Sequence, residues 1–290
     1  MSDTANLSEN ICLLNGQLSG ENTQNFSHAY RAMAFGDGLF ETMRATRGHI
    51  WQLRAHSARL SAGCAALGLN NPLTHETLLQ AWKVLASVLN PHSGYRLRLN
   101  VWRAGQGAYA PETDAANWLL MAKPLPRFEL PVRPGVQVGV LREPLLAMGP
   151  FSTHKTLNAL PYVLAARAAR ANGWGDALML NTDGRIAEAT SSNLFYQREG
   201  RWFTPPLGEG CIAGISRKVL LEQVRLPDFE PQTRPLLQAE LPSVQQMFLT
   251  NFIRGVVPVH GVADISWETS PTDLPEQLTH ALNSTDPPIV

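Results

Sequence analysis

Lys155, Glu188 and the run Gly214-Ile215-Ser216-Arg217 are the residues whose types and order could do chemistry together. A desolvated lysine amine can attack an aldehyde and form a Schiff base. A strand carboxylate facing inward needs a buried partner, and a protonated ring nitrogen is one; the pair keeps the ring an electron sink. A glycine at a turn entering a helix lets backbone N–H groups approach a phosphate, helped by the helix dipole. Each part alone also has an ordinary reading: a solvated lysine at a helix start, an exposed strand glutamate, a plain turn. The lysine, the glutamate 33 positions later and then the glycine turn suit a phosphorylated aldehyde held by its carbonyl, its ring nitrogen and its phosphate.

The elements around these residues must place them. Lys155 stands at a strand-to-helix junction, at the head of a helical pattern with Leu157, Leu160, Leu164 and Ala168 on one side. Asp183-Gly184 is a tight-turn signal, so Arg185 to Ala189 return as a strand beside Asp-Ala-Leu-Met-Leu. Upstream, Asn15-Gly16 marks a hairpin after Ile-Cys-Leu-Leu. Leu53, Leu60, Cys64 and Leu67 suit one amphipathic helix stopped by Gly68. A second, capped by Thr74, buries Leu78, Leu79, Trp82, Leu85 and Leu89.

The segment Tyr95–Arg103 alternates strictly, with Tyr95, Leu97, Leu99 and Val101 on one face and Arg96, Arg98, Asn100 and Trp102 on the other. Arg96, Arg98 and Arg103 either meet substrate carboxylates or lie on a solvated sheet face.

Strand pairs interleaved with helices predict an α+β or α/β chain of two domains. The expected boundaries are an N-terminal domain over 1–122, a proline-rich linker over 123–134, and a C-terminal domain over 135–290 that carries the lysine. Residues 1–10 read as a loose tail, and those from about 266 onward as a closing strand or helix with a frayed end.

Lys+Arg and Asp+Glu are both 24, and no polybasic run points to nucleic acid or an anionic membrane. No apolar run is long enough for a membrane span, and the polar N-terminus lacks a signal-peptide layout. Cys12, Cys64 and Cys211 have no metal-ligand spacing and the eight histidines no paired spacing, so no metal site is expected. Reduced thiols and a cytoplasmic location are the matching expectations.

The segments Phe-Gly-Asp-Gly-Leu-Phe-Glu-Thr (35–42), His-Ser-Ala-Arg-Leu (56–60), Lys-Thr-Leu-Asn (155–158), Glu-Ala-Thr-Ser-Ser-Asn-Leu-Phe (188–195), Thr-Pro-Pro (204–206), Gly-Ile-Ser-Arg (214–217) and Phe-Leu-Thr-Asn (248–251) together resemble the class IV aminotransferase family of pyridoxal-phosphate enzymes, fold type IV. The resemblance covers nearly the whole chain. It implies a two-domain homodimer with pyridoxal 5'-phosphate held between the domains. Lys155 would carry the cofactor, Glu188 would pair with its ring nitrogen, and Arg59, the backbone of Ile215 and Ser216, and Thr250 would hold the phosphate, with Asn251 beside it.

Within the family, Leu160 stands where branched-chain enzymes place a tyrosine five residues after the lysine, and Phe40 stands at the tyrosine position of D-amino-acid enzymes. The loop Arg-Ala-Gly-Gln-Gly-Ala-Tyr (103–109) is similar to that of the aminodeoxychorismate lyases, with Arg103 and Tyr109 matched and a departure at Ala108; Asn251 after Thr250 is similar too. The implied activity is conversion of 4-amino-4-deoxychorismate to 4-aminobenzoate and pyruvate in folate biosynthesis. Lys155 would act as base, Thr42 would be a candidate for assisting proton transfer, and Arg96, Arg98, Arg103 and Tyr109 would face the small-molecule substrate. The alternative is a class IV transaminase acting on branched-chain, D-amino-acid or (R)-amine donors.

Overall fold

Ile-Cys-Leu-Leu turns back on itself at Asn15 and Gly16, both at positive φ (48° and 88°). That pair of dihedrals matches the right-handed twist of the strands it joins. In the computed structural model, which describes residues 11–20, 30–46, 48–267 and 273–286, this hairpin joins β1 (Ile11–Leu14) to β2 (Gln17–Gly20). The tail expected over 1–10, and residues 268–272 and 287–290 of the expected closing segment, lie outside the described residues.

After α1 (Tyr30–Phe35) come β3 (Gly38–Thr46), β4 (His49–Ile50), α2 (Leu53–Ala66), α3 (His75–Ala86), β5 (Gly94–Arg103) and β6 (Ala116–Leu125). The six strands form one sheet in the order β2-β1-β6-β5-β3-β4. β3 and β5 run antiparallel, with Leu39 opposite Val101 and Met43 opposite Leu97. As the alternation predicts, Tyr95, Leu97, Leu99 and Val101 are buried, in one core with Leu60 and Cys64 of α2 and Leu78, Trp82 and Leu85 of α3. α3 begins on a reciprocal cap between Thr74 and Thr77. The opposite sheet face therefore carries Phe40, Thr42 and Arg44 beside Asn100, Arg98 and Arg96.

The second sheet is built from β7 (Val136–Leu146), β8 (Asp176–Asn181), β9 (Arg185–Ala189), β10 (Asn193–Arg198), β11 (Arg201–Thr204), β12 (Gln232–Thr233), β13 (Leu236–Leu237), β14 (Gln246–Asn251), β15 (Gly255–Val262) and β16 (Ile265–Ser266). Its order is β12-β11-β10-β14-β15-β7-β8-β9-β13, with β16 on β15. β7 and β8 are parallel and are joined through α4 (Leu160–Ala171). Gly184 (φ 74°) makes the predicted turn from β8 to β9. α5 (Ile215–Glu222) and α6 (Leu274–Ser284) complete the described helices. One core gathers Val138, Leu178, Ile186, Leu194, Leu249 and Val257.

By contact the chain divides into two compact units. The first holds the described residues up to Phe128 together with His154–Asn158; the second holds Glu129–Thr153 and Ala159–Asp286. Lys155, expected in the C-terminal domain, thus belongs with the first unit. The expectation that it heads a helix is also corrected: α4 starts only at Leu160, with a proline in its first turn. The reason is backbone bonding, since residues 155–157 pair with β3 instead. Of the predicted apolar face, Leu160 and Leu164 are exposed, as is Val163, while Ala165 and Ala169 are buried. Among the described residues no helix is long and apolar enough to cross a membrane.

Candidate functional site

The lysine segment is held by backbone. Phe40 N–H donates to the Lys155 carbonyl at 2.8 Å and Leu157 N–H donates to the Gly38 carbonyl at 2.9 Å. Leu39 and Thr156 form an antiparallel bridge. Gly38 must be glycine for this: a Cβ there would lie 2.4 Å from the Val101 carbonyl oxygen and 2.9 Å from Leu157 Cδ1. The Gly-Asp-Gly turn and the Lys-Thr-Leu-Asn segment are therefore two halves of one packing arrangement. Lys155 Nζ sits 4.4 Å from the centre of the Phe40 ring, a cation–π contact.

The three candidate arginines of β5 have three different environments. Arg98 lays its guanidinium over the same Phe40 ring, 3.5 Å from its centre, and donates from Nε to Asn100 Oδ1. Burial, and secondly the nearby Arg96, push its pKa down to about 10; its Nη groups make no hydrogen bond among the described residues. Arg96 is exposed, opposite Arg44 and Lys123. Arg103 is buried and committed elsewhere. It donates to Asp37, Asp114 and the Leu67 and Gly68 carbonyls, which leaves little of its fork for a substrate. Tyr109 is 90% exposed and lies against Phe35. Its loop is tied down by Arg31, which donates to the carbonyls of Gln106, Gly107 and Ala108. Thr42 is half-buried, directly across from Arg98.

Arg59 lies in an unanticipated ion cluster. Its Nε and Nη2 donate to the two oxygens of Glu41 at 2.7 and 2.5 Å, and His56 Nδ1 lies 2.7 Å from Glu41 Oε2. Glu41 and His56 are fully buried. Burial by itself raises the Glu41 pKa, but the Arg59 charge and the His56 hydrogen bond outweigh it and hold the carboxyl at about 2. Burial lowers the His56 pKa below the ordinary 6.5, with Arg59 and Lys155 adding to it, so the ring is held toward its neutral form and donates to Glu41.

This cluster makes stability depend on pH. Below 6.5 the unfolded chain takes up a proton that folded His56 resists; between 4.5 and about 2 it takes up another that folded Glu41 resists. Both make stability fall on acidification. The urea midpoint is expected to be lower at a pH near 5.5 than near 7.5, by less in His56→Asn than in the native chain. An equal drop in both would remove His56 as the cause.

In the second unit, Glu188 of β9 is buried, 3% exposed. Tyr162 of α4 donates its hydroxyl to Oε1 at 2.7 Å, Asn193 Nδ2 to Oε2 at 3.3 Å, and Ile212 N–H to both oxygens at 3.2 Å. Asn193 also donates to the Ile212 carbonyl and stands opposite Thr250 across β10 and β14. Gly214 closes onto it: a Cβ there would fall 1.9 Å from Asn193 Oδ1. Cys211 is a buried thiol, pushed up to about 12 by burial and then by the Glu188 charge.

Gly214 caps α5, and Ile215 and Ser216 open it. Ser216 Oγ and Thr250 Oγ1 are both buried with no hydrogen-bond partner. A buried hydroxyl without a partner costs about 1–3 kcal/mol, so two of them near a helix N-terminus suit an anion such as a phosphate. Arg217 is buried next to them and donates to the Pro205 carbonyl. Asn251 serves the turn after β14, accepting from Ile253 and Arg254 N–H and donating to the Ser191 carbonyl. Among the described residues no cluster could hold a metal ion. A carboxylate for a ring nitrogen and unpartnered hydroxyls for a phosphate are what a phosphorylated pyridine cofactor requires.

Glu41, Tyr162, Asn193 and Arg31 were not singled out from the sequence. Glu41 had a signal, standing inside the Phe-Glu-Thr segment next to Thr42. Tyr162 had none, because nothing local marks a helix tyrosine as the partner of a strand glutamate 26 positions away.

Residues 38–262 match the sequence pattern of the family described as amino-transferase class IV. The chain is 26% identical to an aminodeoxychorismate lyase of Vibrio harveyi, over 80% of this chain and 86% of the other. Its structure is similar to that of the 4-amino-4-deoxychorismate lyase of Pseudomonas aeruginosa (TM-score 0.78, 28% identity, 94% and 98% of the two chains covered). It is also similar to the branched-chain aminotransferase of Thermoproteus uzoniensis (TM-score 0.84, 22% identity, 95% and 94% covered). The fold is accordingly that of the fold type IV enzymes, as the motifs implied. The chain belongs to the class IV aminotransferase family, whose cofactor is pyridoxal 5'-phosphate.

Proposed function

We propose that this enzyme is an aminodeoxychorismate lyase, releasing 4-aminobenzoate and pyruvate from 4-amino-4-deoxychorismate. The observation that carries the reading is Arg98 sharing the Phe40 ring with Lys155. A half-buried guanidinium with open Nη donors suits a substrate whose carboxylate accompanies its amine, and aminodeoxychorismate carries two carboxylates. Bound pyridoxal phosphate supplies an electron sink for the carbon bearing that amine. Glu188 would pair with the ring nitrogen and keep it protonated. The Ser216 and Thr250 hydroxyls and the backbone N–H groups of Ile215 and Ser216 would hold the phosphate, a role the family resemblance extends to Arg59. Lys155 would hold the cofactor through its amine, and its Nζ, when free, would take the proton from C4 of the substrate. Loss of that proton with cleavage of the C3–O bond would aromatise the ring and release the enolate of pyruvate, which becomes pyruvate on taking up a proton, the one Lys155 accepted being at hand. Arg98 orients the substrate, with Thr42 across the strand from it.

The same reading makes the enzyme a cytoplasmic homodimer acting in folate biosynthesis. A class IV transaminase of branched-chain, D-amino-acid or (R)-amine specificity is the second reading, because Arg98 beside Lys155 also suits a substrate with a single α-carboxylate. The test is incubation with aminodeoxychorismate while 4-aminobenzoate and pyruvate are followed in equal amounts. If neither forms while an amino donor and 2-oxoglutarate interconvert, the transaminase reading replaces the lyase.

A further inference from the structure

Glu188 accepts from Tyr162, Asn193 and Ile212, and the shortest of these bonds comes from a side chain no family motif in the sequence includes: Tyr162, at 2.7 Å. Asn193 Nδ2 and Ile212 N–H stand at 3.3 and 3.2 Å. Ile212 N–H is shared between the two oxygens, so of these three donors Tyr162 makes the short, unshared bond. We propose that Tyr162 is a positioning residue: its hydroxyl fixes the Glu188 carboxylate in place and in its ionised form, and so sets how firmly that carboxylate holds the ring nitrogen of the cofactor. This rests on Glu188 being the ring-nitrogen partner.

The chemistry of the site supports the role. A carboxylate buried without enough donors protonates more easily, and a charge-assisted O–H donor is among the stronger ones available to it. The phenol is suited to be a permanent donor rather than a proton carrier. Burial first, then the charge of Glu188 and the hydrogen bond itself, push its pKa far above the ordinary value, so it keeps its proton at any working pH. Tyr162 also stands in the first turn of α4, where Pro161 restricts the backbone. The hydroxyl is therefore aimed from a defined element rather than from a loop.

Tyr162→Phe keeps the ring and removes only the donor. The test compares native enzyme, Tyr162→Phe and Glu188→Gln by pyridoxal-phosphate dissociation constant and by the pH profile of kcat. Tyr162→Phe is expected to bind the cofactor about tenfold more weakly and to move the acid limb of the profile up by about one pH unit, the equivalent of one lost charge-assisted bond. Its melting temperature is expected to stay near native. If Tyr162→Phe matches the native enzyme in both readouts while Glu188→Gln is impaired, the positioning role is wrong and the ring-nitrogen assignment stands. If Glu188→Gln itself binds cofactor and turns over as the native enzyme does, the underlying assignment fails first. Weaker cofactor binding in Tyr162→Phe with an unmoved pH profile also overturns the proposal, since simple loosening of the packing would produce it.

Discussion

Lys155→Ala is expected to lower turnover by roughly a thousandfold or more, because in the proposed function it removes both the attachment point for the cofactor and the general base; base catalysis by a placed side chain alone contributes about 10²–10⁴-fold. The substitution should leave the fold intact. The bonds that place this segment, Phe40 N–H to the Lys155 carbonyl and Leu157 N–H to the Gly38 carbonyl, are backbone bonds that alanine keeps. What disappears is the amine over the Phe40 ring, a contact worth about 0.5–2 kcal/mol. Borohydride reduction of native enzyme loaded with pyridoxal phosphate should leave the cofactor mass on the peptide containing Lys155, and no such peptide should arise from the variant. Residual turnover within tenfold of native, or label on another lysine, would remove Lys155 from the chemistry.

The second large effect concerns stability. Glu41→Gln is expected to destabilise the unit that contains it by about 3–5 kcal/mol, the usual cost of breaking a buried ion pair from one side. The substitution turns a neutral amide toward donors that need an anion. Arg59 and His56 are left with a mismatched partner in a site where His56 has no exposure and Arg59 little. Thermal unfolding followed by circular dichroism should show the loss as a fall of about 10 °C or more. In the double variant Glu41→Gln/Arg59→Met the losses should add to less than their sum, because the second substitution removes the charge that the first one stranded. Strict additivity would show that the ion pair is not the source.

Much of this chain is legible from local patterns. The alternation Tyr95, Leu97, Leu99, Val101 identifies both the strand and its buried face, because side-chain direction in a strand follows from position alone. Asn15-Gly16 and Asp183-Gly184 announce their turns for the same reason: the dihedrals they need are ones few other residues adopt. The lysine segment misleads because Leu157, Leu160 and Leu164 have helical spacing, yet residues 155–157 bond to Gly38 and Phe40, more than a hundred positions earlier. Local periodicity cannot see a strand edge so far away in the chain. The β5 arginines make the same point. Arg96, Arg98 and Arg103 look interchangeable in sequence, and their neighbours separate them: open sheet face for Arg96, the Phe40 ring for Arg98, and Asp37 with Asp114 for Arg103.

The sequence by itself determined which chemical groups are present and in what order: an amine, then a carboxylate, then a glycine turn into a helix, with motifs specific enough to identify the family. Tertiary structure alone decided which of those groups stand ready and which are already paired. It left the Ser216 and Thr250 hydroxyls unpartnered, turned Arg59 onto Glu41, buried Arg103 among acids and brought Tyr162 to Glu188. The physical reason is that the availability of a polar group depends on burial and on partners a few ångströms away in space. Those partners come from strands and helices whose register is set by hydrophobic packing across the whole chain, not by the residues adjoining the site.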